Sequence, residues 1–327
     1  MEPAGYGLLP QWVFHAHPVT VFSSVIFSRI RVVPTHHHLF SGLWIALVTP
    51  FRDGTVDHPA LHRLVEKLGQ DGASGFVPCG STGEAAALDK TEQLAVLDTV
   101  LQACGGLPVV MGVSGYHLPQ LLDWVRLLGQ RPVAGLLVPA PLYIRPSQAG
   151  LRHWFEAIAD ASPVPVIVYD IPYRTGSRID RDTLLALAGH PNIHAVKDCG
   201  GDAHKTQALI ADGRLQVLAG EDTQIFSTLA HGGAGAISAA AHVNTVAWVQ
   251  VLQRLKAGDL PAARRIWQPL VPLTEALFSE PNPALIKAVL AHQGRMTPQL
   301  RPPMMAASPE GTAAMLQLLE TAAAAAH

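Results

Sequence analysis

From Leu43 onward, short β-branched runs alternate with longer amphipathic stretches, eight times over about 200 residues, and few architectures accept that rhythm. The runs are Leu43–Thr49, Gly75–Cys79, Pro108–Val113, Gly135–Pro139, Pro165–Tyr169, Ile193–Lys197, Leu215–Ala219 and Gly235–Ala239. Helix-like stretches lie between them, among them Pro59–Gly72, Thr91–Ala103, Leu118–Gly129, Gln148–Ala161, Arg181–Ala188 and Thr223–His231. The pattern fits a (β/α)8 TIM barrel better than an open doubly wound sheet. After a last barrel helix near Thr245–Lys256, helical stretches over Ala262–Phe278, Pro283–His292 and Pro309–Ala325 predict a C-terminal helical appendage. Residues 42–258 are therefore expected to form the barrel and 259–327 the helical region.

Residues 1–41 differ from all that follows, with one acid, Glu2, two arginines, Arg29 and Arg31, and histidines at His15, His17, His36, His37 and His38. The apolar run Val19–Ile30 is broken by three serines and is too short to span a membrane. Its basic residues lie on the wrong side for a cleavable signal. An extension outside the fold is expected. The His36–His38 run reads as a solvated polar tract rather than a metal site.

With 327 residues, 49% of them hydrophobic, the chain can bury a large core. A net charge of −2 with no basic stripe gives no electrostatic reason to expect nucleic acid, so small-molecule chemistry is the better expectation. Cys79, Cys104 and Cys199 are too far apart for a CxxC metal pair and too few for a disulfide framework, which fits a reducing, cytoplasmic setting.

In a TIM barrel the chemistry sits where strands end, and the strand ends here converge on reactive groups. Strand two runs into Gly80-Ser81-Thr82-Gly83-Glu84, strand four into Pro139-Ala140-Pro141-Leu142-Tyr143, and strand five into Tyr169-Asp170-Ile171-Pro172-Tyr173-Arg174-Thr175-Gly176. Strand six ends in Lys197 and strand seven in Gly220-Glu221-Asp222. Of the six lysines, Lys67, Lys90, Lys205, Lys256 and Lys287 fall in helix-like stretches, where a solvated face explains them. Lys197 resists that explanation. An amine in a desolvated pocket loses its proton more readily and can attack a carbonyl, although a buried lysine can equally be an ion-pair partner. The Ser81-Thr82 pair between glycines can gather backbone N–H groups and hydroxyls around a carboxylate, and without a following lysine it is no phosphate loop. Tyr169 also reads as a core aromatic, Arg174 as a turn residue, and Glu84 as a structural partner.

From about Gly42 to the C-terminal helices the chain resembles the superfamily of dihydrodipicolinate synthase and N-acetylneuraminate lyase, class I Schiff-base barrels. The resemblance rests on Gly80-Ser81-Thr82-Gly83-Glu84, on Tyr143-Ile144-Arg145-Pro146-Ser147, on Tyr169-Asp170-Ile171-Pro172, and on a lysine 28 residues beyond that tyrosine. It implies that Lys197 forms an imine with pyruvate, with Tyr169 as proton shuttle and Ser81 as a relay hydroxyl that is usually Thr in the synthases. Thr82, in its Gly83-bounded loop, would bind the pyruvate carboxylate, and Gly220 and Ile237 would line the pocket with backbone. Tyr143 matches a tyrosine that crosses between subunits, so a homodimer or homotetramer is expected. Arg174 would grip the carboxylate of a small anionic aldehyde. The reaction implied is condensation of pyruvate with L-aspartate 4-semialdehyde, with no cofactor and no metal.

Two departures keep other reactions open. Asp170 stands where the synthases usually carry Asn, and Asp198-Cys199-Gly200-Gly201-Asp202 follows the lysine where they usually carry Glu, Ala and a Thr or Ser. Both are expected at the pocket mouth, where they would suit an aldolase or dehydratase acting on another 2-keto acid. A non-catalytic binding barrel is the third reading, disfavoured because it has little use for a proton relay. Ala85, Ala86, Lys90, Tyr116, Gln120 and Leu142 occupy the positions of the family's lysine-feedback contacts without their usual chemistry, so feedback by lysine is expected to be lost.

Overall fold

The computed structural model describes residues 39–324. Eight parallel strands form the barrel: β1 (Gly42–Ala46), β2 (Gly75–Val77), β3 (Val110–Gly112), β4 (Gly135–Pro139), β5 (Val166–Asp170), β6 (Ile193–Asp198), β7 (Gln216–Ala219) and β8 (Gly235–Ser238). They hydrogen-bond in the order β2-β1-β8-β7-β6-β5-β4-β3. One parallel bridge, Phe76 to Val109, joins the two ends of that order. Backbone bonds from Phe76 N to Pro108 O at 3.1 Å and from Gly112 N to Pro78 O at 3.0 Å support it. The sheet thus closes into the expected barrel.

The strands are buried along nearly their whole length, as both faces must be when helices cover the outside and side chains fill the middle. Close packing dictates some glycines: a Cβ on Gly75 would lie 2.4 Å from the Trp44 ring, its neighbour across the β1–β2 pair. Five of the eight strands are one to three residues shorter than the sequence predicts, β4 and β5 match in length, and β6 runs one residue further, to Asp198.

The outer helices are α1 (His58–Gln70), α2 (Lys90–Ala103), α3 (Leu118–Leu128), α4 (Gln148–Ala161), α5 (Arg181–Leu187), α6 (Ala203–Asp212), α7 (Ile225–Ala230) and α8 (Thr245–Lys256). Several start on side-chain caps. Asp57 accepts from Ala60 N, and Asp89 with Glu92 forms a capping box on α2. One addition to the sequence reading is the hairpin between Phe51–Arg52 and Thr55–Val56, turned by Asp53-Gly54 at φ 52° and 77°.

The C-terminal helices are α9 (Leu260–Leu277), α10 (Ala284–His292) and α11 (Pro309–Ala324). Helix α9 continues through Pro269 and Pro272 and packs on α8 through the Trp248–Trp267 edge contact at 5.6 Å. Helix α10 is buried from Ala284 to Leu290, Lys287 included. Phe40, inside the stretch expected to stand apart, is fully buried and its N–H donates to Gln216 Oε1 at 3.0 Å. The rest of that stretch through His38, with the histidine run, lies outside the described residues. Among the described residues no helix is long and apolar enough to cross a membrane.

Candidate active site

Lys197 and Tyr169 are register partners on neighbouring strands, so the β5–β6 ladder delivers both side chains to the same mouth. Lys197 Nζ lies 4.4 Å from the centroid of the Tyr169 ring. Lys197 is 5% exposed, and burial holds its pKa below the ordinary lysine range against the opposing pull of Cys199, Asp222 and Glu221. The lowered pKa makes the neutral, nucleophilic amine more accessible. Tyr169 is pushed the other way, with burial raising its pKa, and its hydroxyl is hydrogen-bonded to Ser81. It is therefore a protonated phenol poised to donate.

A cavity of about 570 Å3 opens above the lysine, lined by Ser81, Thr82, Tyr169, Arg174, Lys197 and Gly220 together with Tyr173, Glu221 and Asp222. A second, apolar cavity of about 320 Å3 adjoins it and shares Ser81, Tyr169, Arg174 and Asn282. Six of the nine residues singled out in the sequence thus surround one space. A glycine at 220 is required there, since a Cβ would lie 2.4 Å from Cys199 Sγ and 2.9 Å from the Lys197 side chain. Gly83 and Ile237 do not line this cavity. Gly83 accepts from Thr49 Oγ1 at 2.7 Å, where a Cβ would meet Leu47 O at 2.9 Å, and Ile237 is buried opposite Trp44. Tyr143 points away, 94% exposed with φ 71°.

Other groups turn out differently from the sequence expectations. Lys205 and Lys287 do not lie on solvated faces. Lys205 is buried against Asp170 and lies 3.6 Å from Asp198, while Lys287 is buried against Glu84 and donates to Gln299 O at 2.9 Å. Asp170 also accepts from Ile179 N at 3.3 Å, and Asp198 accepts from Gly200 N at 2.9 Å and from Thr206 Oγ1 at 2.5 Å. These acids therefore tie β5 and β6 to α6, and neither lines the cavity above Lys197. The expectation that they reshape the pocket mouth is corrected accordingly. Asp222 is structural too, accepting from Ser238 Oγ and from Ala240 N at 3.1 Å. Asn282, which the sequence reading does not single out, donates to Thr82 Oγ1 at 3.0 Å and lines both cavities. Its one sequence signal is the Pro281-Asn282-Pro283 run.

A model of the dihydrodipicolinate synthetase family matches residues 39–322. The chain belongs to that family. It is 38% identical over 286 residues to 4-hydroxy-tetrahydrodipicolinate synthase of Sorangium cellulosum, covering 86% of this chain and 94% of that protein. Among solved members of the dihydrodipicolinate synthase fold, the Thermotoga maritima enzyme superposes with a TM-score of 0.85 at 28% identity, covering 88% of this chain and 99% of that one. A variant described as the first monomeric dihydrodipicolinate synthase superposes with a TM-score of 0.84 at 28% identity, over 86% and 97% of the two chains.

Proposed function

We propose that the protein is a 4-hydroxy-tetrahydrodipicolinate synthase that condenses pyruvate with L-aspartate 4-semialdehyde through a Schiff base on Lys197. The observation that carries this reading is the buried amine over the Tyr169 ring, in a cavity that also holds Thr82 and Arg174. The neutral Lys197 amine attacks the pyruvate keto carbon, and loss of water leaves a cationic imine. That cation is an electron sink, so the adjacent methyl group gives up a proton and becomes an enamine carbon. Tyr169 and Ser81 pass the protons, since each is within hydrogen-bond reach of the next. The Thr82 loop takes the pyruvate carboxylate. Arg174 takes the carboxylate of the aldehyde, fixing its carbonyl against the enamine carbon. The new C–C bond forms there, and attack of the aldehyde's own amine on the imine closes the ring and frees Lys197.

The same reading assigns the apolar cavity beside Ser81 and Tyr169 to Tyr143 of a second copy, giving a homodimer or a larger assembly built from it. It takes residues 42–258 as the catalytic barrel and 259–327 as a C-terminal helical region.

Borohydride reduction in the presence of pyruvate, followed by peptide mass spectrometry, tests the reading. A stable adduct is expected on the Lys197 peptide and none on Lys197→Ala. The Arg174→Ala variant should keep the adduct yet lose condensation by on the order of a hundredfold. No adduct on the folded wild-type protein would sink the Schiff-base assignment. An adduct with undiminished turnover in Arg174→Ala would instead move the assignment to another 2-keto acid reaction.

A further inference from the structure

Acids crowd the mouth of this barrel, and nearly all of them are answered. Glu84 meets Lys287, Asp170 meets Lys205, Asp222 meets Ser238, and Glu280 accepts from Ser308 Oγ at 2.5 Å. Among the described residues, the buried side-chain oxygens or nitrogens left without a hydrogen-bond partner are Glu221 Oε1 and Asn282 Oδ1. Both are acceptors, and both belong to residues lining the cavity above Lys197, which Arg174 also lines. An unmet buried acceptor is costly, so two in one binding cavity point to donors that arrive with the ligand.

Pyruvate cannot be that donor, because it brings only a carboxylate and a ketone. A carboxylate placed at Glu221 would be repelled, whereas an ammonium group supplies three N–H donors and the opposite charge. We infer that Glu221, with Asn282 Oδ1 in the same cavity, receives the α-ammonium group of the second substrate while Arg174 holds its carboxylate. The pocket then selects an α-amino acid aldehyde over a simple aldehyde acid of the same length. This inference rests on the condensation reading and adds to it the determinant of substrate choice. The competing structural role is concrete: the Glu221 carboxylate also bonds the Tyr173 hydroxyl and the Cys199 thiol.

Glu221→Gln separates the two, since it keeps the size of the side chain and removes its charge. Three quantities are measured in wild type and variant: kcat/KM for aspartate semialdehyde, the inhibition constant of its des-amino analogue succinic semialdehyde, and the rate of borohydride trapping of pyruvate on Lys197. The first should fall on the order of ten- to hundredfold, the second should stay unchanged, and trapping should be no slower, because losing the Glu221 charge removes one pull that raises the Lys197 pKa. Equal weakening of both aldehydes, no weakening of either, or loss of trapping would each overturn the inference and leave Glu221 a positioning residue for the lysine or the loop. A wild-type enzyme that traps pyruvate but turns over no aspartate semialdehyde has a different signature, and it overturns the condensation reading along with this one.

Discussion

His242 shows how a single buried residue couples the stability of this fold to pH. It is 1% exposed, its Nδ1 lies 2.8 Å from Ala239 O, and its Nε2 lies 3.3 Å from Val48 N. Nδ1 must therefore carry the hydrogen and Nε2 must accept, which only the neutral ring can do. Burial lowers its pKa to about 4. The folded value lies below the unfolded one, so this contribution is complete above the unfolded pKa and is lost as the pH falls toward 4, by roughly 3 kcal/mol. Asp222, raised to about 6 by burial, works with the opposite sign over an overlapping range. The two partly cancel in wild type. Comparing denaturant midpoints of wild type and His242→Asn at pH 7 and pH 4 isolates the histidine: the stability gap should narrow by roughly 3 kcal/mol on acidification. A constant gap would mean that the ring titrates normally. Lys197 was legible in the sequence because a strand must end where it stands. Lys205 and Lys287 were not, because their partners lie 35 and 203 residues away and local periodicity carries no record of them.

At the scale of elements, α10 acts on the catalytic loop from outside the barrel. Lys287 reaches Glu84, which sits at φ 52° directly after the Ser81-Thr82-Gly83 turn and also accepts from Arg301 N at 3.1 Å. Asn282, just ahead of the same helix, meets Thr82. The Thr82 hydroxyl is thus held directly from the C-terminal region, and the loop that carries it and Ser81 is braced there through Glu84. Removing one partner strands a buried charge, so Lys287→Met should lower stability by about 3–5 kcal/mol, and adding Glu84→Gln should restore part of that loss. Equilibrium denaturation of the two variants checks this, and a double variant no better than the single one would show that the pair matters little. The strands and most helices were readable from alternation and period. The docking of α6 was not, because polar residues such as His204, Thr206 and Gln207 dilute its apolar face and its anchor to the barrel is the buried Lys205–Asp170 ion pair.

At the scale of the molecule, Tyr143, Ile144 and Tyr116 present apolar surface, 94, 46 and 66% exposed, on loops whose Leu142 and Ser114 line the apolar cavity. If a second copy covers it, sedimentation should report a dimer or multiple of one, and mixing inactive Lys197→Ala with inactive Tyr143→Ala should regenerate activity in the hybrid. A fully active monomer would remove Tyr143 from the relay. The six positions compared with lysine-feedback contacts divide between two cavities: Lys90, Tyr116 and Gln120 line a polar one with His117, while Ala85, Ala86 and Leu142 line the apolar one next to Tyr169. A cationic Lys90 in the polar cavity is a poor host for another lysine, so millimolar L-lysine should leave the condensation rate unchanged in a steady-state assay.

The barrel's closure has a last consequence for how damage to this enzyme would announce itself. Seven strand junctions are ladders, whereas β2 meets β3 through the single Phe76–Val109 bridge, and β2 is the stave that carries Ser81 and Thr82. Slackening that seam by an ångström would erase almost no secondary structure, so circular dichroism and melting curves would scarcely register it. It would nonetheless draw the serine hydroxyl away from the phenol of Tyr169. Turnover is therefore the finer strain gauge of this ring, failing while every spectroscopic sign of folding is still intact.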